Sequence, residues 1–276
     1  EFTFIYIRNV MTDHQTQKLR SIVQTMSPIS LEEMSSIRLM KRMDQKFVTD
    51  ANTLICLLAL LHEDYFCQEV KGLRITSYRT VYWDELTEHL LYHTHETGRL
   101  PRMKVRARTY VESKLSFLEI KKKNNHGKTR KKRIEVPSIQ AVAEEGVGEE
   151  FLNEQTGLSF ANLAPAVGNR FQRITLVNRA KTERLTIDFN LHFDNFETQR
   201  RAALENVAVI ELKRDGRVAS PVLDHLRLLR IKPSGFSKYC IGSALTNDAL
   251  RQNLIKEKLH TIQRIAMRGA EDNPTI

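Results

Sequence analysis

Cysteine is scarce in this chain: Cys56, Cys67 and Cys240 are the only three in 276 residues. They form no CxxC pair and have no histidine at metal-ligand spacing, which excludes a disulfide scaffold and a zinc module. Sparse, odd-numbered thiols read as reduced groups of a cytoplasmic protein. Long apolar runs are missing as well. The longest, Leu54–Leu61, is far short of the ~20 residues a membrane span needs. The apolar start, residues 1–7, has no basic stretch ahead of it and is not read as a signal peptide. There is no internal repeat and no low-complexity tract, and no Ser/His/Asp triad is visible. His93 and His95 lie beside Glu96, but that spacing fits no zinc motif. Acidic residues are in deficit: 33 Asp+Glu against 43 Lys+Arg give a formal charge of +10 and a pI near 9.6. That balance calls for an anionic partner. Few aromatics interleave with the cations and no nucleic-acid motif is present, which counts against nucleic acid as that partner.

What is present is a repeated period of two. In Lys104-Val105-Arg106-Ala107-Arg108-Thr109-Tyr110, a strand puts Lys104, Arg106, Arg108 and Tyr110 on one face. The pattern returns with Glu119, Lys121 and Lys123, with Arg184, Thr186, Asp188 and Asn190, and with Glu211 and Lys213. Arg42, Asp44 and Lys46 alternate in the same way, and Lys131 and Arg133 follow on a further strand. Each strand is charged on one side and apolar on the other. Two architectures satisfy this: a sheet with its charged face in water, or a barrel with that face inside. Cations packed inside a barrel cost heavily in desolvation and repulsion unless an anion fills it.

Along the chain, Ser30 resembles a helix cap and a first strand runs over 37–48. Asp50 caps a helix over 51–66, residues 75–83 suggest a hairpin or two short strands, and 84–95 reads as helical. Residues 138–157 are partly helical. Residues 170–178 and 184–193 form an antiparallel pair, and 206–215 is a strand. Ser220 opens a helix to Leu229, a long amphipathic helix spans 246–267, and 269–276 is a frayed tail. Trp83 and its neighbouring tyrosines read as core. About eight strands with hairpin-like spacing give an α+β fold.

These strands resemble the VTC domain, the polyphosphate polymerase domain of the vacuolar transporter chaperone complex and its bacterial relatives. That family belongs to the triphosphate tunnel metalloenzymes, also called CYTH-like. The motifs, in order, are Arg42-x-x-x-Lys46, Arg106-x-Arg108-x-Tyr110, Leu118-Glu119-Ile120-Lys121, Lys131-x-Arg133, Arg184-Leu185-Thr186-Ile187-Asp188, Ile210-Glu211-Leu212-Lys213 and Ser237-Lys238-Tyr239-Cys240. The resemblance implies an eight-stranded antiparallel β tunnel, a closed barrel with a basic interior flanked by helices, over residues 38–268. Residues 1–37 are then an N-terminal extension.

By that resemblance Lys46, Arg106, Arg108, Lys121, Lys131, Arg173, Arg184 and Lys238 are the catalytic phosphate ligands. Arg42, Lys104, Tyr110, Lys123, Arg133, Lys213 and Ser237 are further phosphate-binding candidates. Glu211 matches the carboxylate that holds one divalent metal, Mn²⁺ or Mg²⁺; pairing with Lys213 or a tunnel arginine is its other reading. Asp188 is read equally as a metal contact or as the partner that orients an arginine. The implied reaction moves the γ-phosphoryl of ATP to a polyphosphate chain, so ATP and polyphosphate are the partners. No membrane span belongs to the expectation, although a membrane partner protein is compatible with it. Two departures stand out. The first strand, Arg42-Met43-Asp44-Gln45-Lys46, carries one acid where many superfamily members carry ExExK. Phe171 stands where the family often has Tyr. A non-catalytic polyphosphate-binding module and a triphosphate hydrolase are the alternatives.

Overall fold

The computed structural model describes residues 3–6, 10–35, 42–85, 87–216 and 218–268. The expected strand start at 37–41, the tail 269–276 and the side chain of Arg42 lie outside the described residues. Among the described residues twelve strands make one sheet. They are β1 (Thr3–Tyr6), β2 (Ser27–Ile29), β3 (Arg42–Asp50), β4 (Tyr65–Gln68), β5 (Thr76–Glu85) and β6 (Arg102–Tyr110), followed by β7 (Leu115–Lys123), β8 (Thr129–Val136), β9 (Leu163–Asn178), β10 (Glu183–Asn195), β11 (Arg200–Leu204) and β12 (Val207–Asp215). The helices are α1 (Asp13–Thr25), α2 (Leu31–Ser35), α3 (Ala51–Leu61), α4 (Leu90–Glu96), α5 (Ile139–Glu145), α6 (Glu149–Thr156), α7 (Pro221–Leu228), α8 (Lys238–Thr246) and α9 (Lys256–Ala266).

Eight of the strands run as one antiparallel path, β3-β12-β10-β9-β5-β6-β7-β8. The expected closed barrel differs in one respect: among the described residues no hydrogen-bonded pairing joins β8 to β3. Strand β8 ends the path with Arg130, Lys131, Lys132 and Arg133 all exposed, a like-charged edge of the kind that resists further pairing. The other four strands extend the sheet sideways: β11 and β1 beside the end of β10, β4 and β2 beside the end of β9.

Alternation sorts the side chains. The apolar positions of β9, β10 and β12, such as Ile174, Leu185, Ile187 and Ile210, face α1, α3 and α7 in one core. Asp50 starts α3 by accepting from the Thr53 N–H at 2.9 Å. That helix stops at Leu61 rather than 66, because Tyr65–Gln68 pairs with β9 as β4. A second core gathers Phe171, Phe193, Val209 and the buried residues of α8 and α9 at one end of the sheet. The third packs Val105, Leu118 and Ile120 with residues of α5 and α6.

Two more helix expectations shift. Asp84 belongs to β5, and its carboxylate caps the start of α4, which follows closely in the chain, by accepting from Leu91 N–H and Tyr92 N–H, both at 3.0 Å. The predicted 246–267 helix is only α9, since α8 ends at Thr246 and Asn247 turns the chain by accepting from Ala249 N–H. No helix among the described residues is long and apolar enough to cross a membrane.

Candidate functional site

Strand register settles which charges share a face. Lys46 lies opposite Glu211, which lies opposite Thr186. Asp188 lies opposite Arg173, Thr80 opposite Arg108, Tyr82 opposite Arg106, Arg106 opposite Glu119, and Lys121 opposite Lys131. Directly opposed residues project to the same side. The alternating charged positions of β3, β6, β7, β8, β9, β10 and β12, with Tyr78, Thr80 and Tyr82 of β5, therefore share one face.

The segment entering α8 crosses that face. Ser234 N–H bonds to Lys46 O at 2.8 Å, and the Lys46 ammonium donates to Phe236 O at 3.0 Å. Ser237, the cap of α8, accepts from Lys104 Nζ at 3.0 Å. Lys238 donates to Asp188. This segment ties β3, β6 and β10 together where backbone pairing does not, and it walls in a tunnel. Two cavities border this wall as its mouths. One is a cavity of about 630 Å³ whose lining includes Tyr110, Phe117, Arg133, Arg173, Arg184 and Lys213. The other, of about 200 Å³, is lined by His95, Arg102, Lys104, Lys121, Lys123 and Thr129. Phe117 at the first mouth and Lys121 at the second are four residues apart on β7, roughly 13 Å at ~3.3 Å per residue.

Between the mouths the carboxylates are engaged by cations. Asp188 accepts from Arg173 Nε at 2.5 Å and Nη2 at 2.9 Å. Burial alone would raise its carboxyl; Arg173 and Lys238 outweigh that and hold it well below the usual range. Glu119 accepts from Arg106 Nε at 2.7 Å and from Lys131 Nζ at 2.5 Å. Burial opposes ionisation here too, but Arg106 and Arg108 keep Glu119 down at about 2. Glu211 is likewise held at about 2, against burial, by Lys46 and Lys213, and the Lys213 ammonium lies 3.0 Å away.

The cations outnumber these anions. Arg108 is 7% exposed and donates only its Nε–H, to Thr80 Oγ1 at 3.0 Å. No carboxylate lies within 4.0 Å of it among the described residues. Burial, then the charge of Arg106, lowers its affinity for its proton. Burial depresses Lys104 and Lys238 to about 8. Burial would raise the Tyr82 hydroxyl, but Arg106, Arg108 and Lys104 overcome it and bring it to about 7. The Phe171 ring sits amid three cations, with Lys238 at 4.4 Å, Arg173 at 5.4 Å and Arg108 at 5.7 Å. Arg133 stacks over Phe117 at 4.3 Å.

All the candidate residues with described side chains reach this face. Three others were not foreseen. Tyr78 and Tyr82 are buried, as expected, yet they lie beside Arg108 and Arg106 on the tunnel side. Asn169 shares their face and is 2% exposed, with both amide atoms lacking a protein partner. The Tyr78-x-Thr80-x-Tyr82 alternation carried a signal for the first two, whereas Asn169 sits between Gly168 and Arg170 in β9, where no charged alternation marks it. His95, expected to pack or lie at the surface, sits at the small mouth with its Nε2 2.9 Å from Met103 O. None of the cysteines forms a disulfide.

Among the described residues no three His, Cys, Asp or Glu side chains gather in one place, so there is no all-protein metal cage. A hard divalent ion takes one or two carboxylates and the rest of its ligands from phosphate and water, and Glu211 is a carboxylate of that kind on this face.

A cationic face walled in by its own chain and bordered by two cavities defines a β tunnel suited to anions. The chain belongs to the VTC domain family, matching it over residues 41–247. No curated protein matches the chain. Among solved structures it is similar to a Bacillus halodurans protein described as a candidate adenylate cyclase, at 12% identity and a TM-score of 0.48, over 71% of this chain and 94% of that one. It is also similar to HpAC1 of Hippeastrum, described as having a dominant triphosphatase activity, at 15% identity and a TM-score of 0.48, over 75% and 97%. A weaker likeness is to the S. pombe Pct1 RNA triphosphatase, at 6% identity and a TM-score of 0.26, over 93% and 95%.

Proposed function

We propose that this protein is a metal-dependent polyphosphate polymerase that transfers the γ-phosphoryl group of ATP to a polyphosphate chain inside its tunnel. One observation carries the reading: a run of buried and half-buried cations with too few carboxylates, along a face walled in by the segment entering α8. Lys104, Lys238 and Arg108 are held at a cost that a polyanion would relieve. Phosphoryl transfer asks for charge neutralisation and in-line positioning more than covalent chemistry. Arg106, Arg108 and Arg173 would grip phosphate oxygens through their forks, and Lys46, Lys104 and Lys238 would act as point charges. Lys121, Lys131, Arg184 and Ser237 would extend that grip, with Lys123, Arg133, Lys213 and Tyr110 toward the mouths. Glu211 would hold Mn²⁺ or Mg²⁺, which when bound neutralises and bridges phosphates. A passage with two mouths lets a chain grow at one end while its older units leave by the other. A terminal phosphate is itself the nucleophile, so no triad is required.

The test is incubation with ATP and Mn²⁺, with and without a short polyphosphate primer, resolved by gel and phosphorus NMR. Long phosphoanhydride chains are expected, and they should vanish in Glu211→Ala while tripolyphosphate binding persists. Free phosphate without chains replaces the polymerase with a hydrolase. Tight polyphosphate binding without turnover leaves a binding module.

A further inference from the structure

The β7–β8 hairpin carries cations on both of its faces, and the tunnel uses only one. Lys121, Lys123 and Lys131 project to the tunnel side. Lys122, Arg130 and Lys132 alternate with them and therefore project to the outer side, where all three are exposed. Lys122 and Arg130 are direct cross-strand partners, and Lys128 adds a fourth exposed cation at the turn. Like charges placed opposite one another destabilise a strand pair. No carboxylate forms an ion pair with any of these four among the described residues. The hairpin is also the end of the path, so among the described residues one edge of β8 has no neighbouring strand to take its N–H groups. It borders the small mouth, because Lys121, Lys123 and Thr129 line the 200 Å³ cavity.

We infer that the outer face of this hairpin is a track for an extended polyphosphate, continuing the tunnel beyond its small mouth. The inference rests on the tunnel reading above. A chain longer than the roughly 13 Å passage emerges beside Lys123 and Thr129 and meets Lys128, Arg130, Lys122 and Lys132. Every phosphoryl unit carries negative charge, so each added unit can find another cation. A lysine-rich edge that merely blocks sheet-to-sheet pairing would show no dependence on chain length.

The experiment compares the full chain with the Lys122→Gln/Arg130→Gln/Lys132→Gln variant, measuring binding of inorganic tripolyphosphate and of long-chain polyphosphate across a salt series. Tripolyphosphate fits within the tunnel, so its affinity is expected to be unchanged. Long-chain affinity should fall about tenfold or more at low salt. The slope of log affinity against log salt should drop by about two, at ~0.7 per lost contact to a flexible polyanion. Identical long-chain affinity and slope in both proteins overturn the track. A single-stranded oligonucleotide is the third probe: loss of its binding with long-chain polyphosphate unaffected assigns the face to nucleic acid instead. If the unaltered protein does not bind tripolyphosphate, the tunnel reading falls and takes the track with it.

Discussion

Asp188 is the carboxylate that the tunnel cations gather around. Its two oxygens hold a bidentate arginine, Arg173, and the ammonium of Lys238, with Asp188 buried and both cations half-buried. Such an arrangement neutralises the cations without making the site strongly stabilising, because desolvation consumes much of the Coulomb gain. Removing one member is different, since it strands charge. Asp188→Ala should destabilise the empty protein by roughly 3–5 kcal/mol. Tripolyphosphate should then raise the melting temperature of this variant more than that of the unaltered protein, because the ligand supplies the missing negative charge. Equal ligand-induced shifts in the two proteins would show that Asp188 and phosphate do not share a role. Period-two spacing had put Asp188 on the charged face but left its role open between metal and arginine. The pairing of β9 with β10 adds that Asp188 lies directly against Arg173.

At the scale of elements, the charged strands were legible because alternation is a property of neighbouring residues. Which strand lies beside which was not, because β3 meets β12 across more than 150 residues of sequence. Short β4 and β11 carry too few residues to show a period. Helix α8 was hidden for a physical reason. Tyr239, Cys240, Ile241, Gly242, Ser243, Ala244 and Thr246 are all buried, so there is no polar stripe to set off an apolar one. Its placement depends on Gly242, where an added Cβ would come within 2.3 Å of Phe193 Cδ1. The Phe193 ring is itself 1% exposed and has little room to retreat. Gly242→Ala should therefore cost about 1–3 kcal/mol as an overpacked core. It should also weaken tripolyphosphate binding, since α8 carries Ser237 and Lys238 at its start. Adding Phe193→Leu should restore both. A Gly242→Ala protein with full stability and affinity would mean that α8 can move without disturbing the tunnel.

Taken whole, the molecule is a cationic shell around a cationic passage, and its response to pH should betray this. Tyr82 is drawn down to about 7 and Lys104 and Lys238 to about 8, all below their unfolded values. Between those values and about 10 the unfolded chain binds more protons than the folded one, so stability rises with pH. The gain is complete above the unfolded values and is lost as pH falls through 8 and then 7. Opposing groups enter later. Burial lifts the Cys67 thiol to about 12 and raises the Tyr65, Tyr92 and Tyr239 hydroxyls, which favours unfolding from about pH 9 upward. On the acid side, His95 is pushed down to about 3 by burial, and the depressed Glu119, Glu211 and Asp188 carboxyls act in the same direction. The ligand-free protein should thus be most stable near pH 9, above the usual range of ~5–8. Saturating tripolyphosphate should flatten the rise between pH 7 and 9, because an anion in the tunnel removes the penalty on charged Lys104 and Lys238. Chemical denaturation at half-unit pH intervals, with and without tripolyphosphate, measures both. An optimum below pH 7 without ligand, or a rise that persists unchanged with it, would mean that the tunnel cations are already neutralised by the protein's own carboxylates.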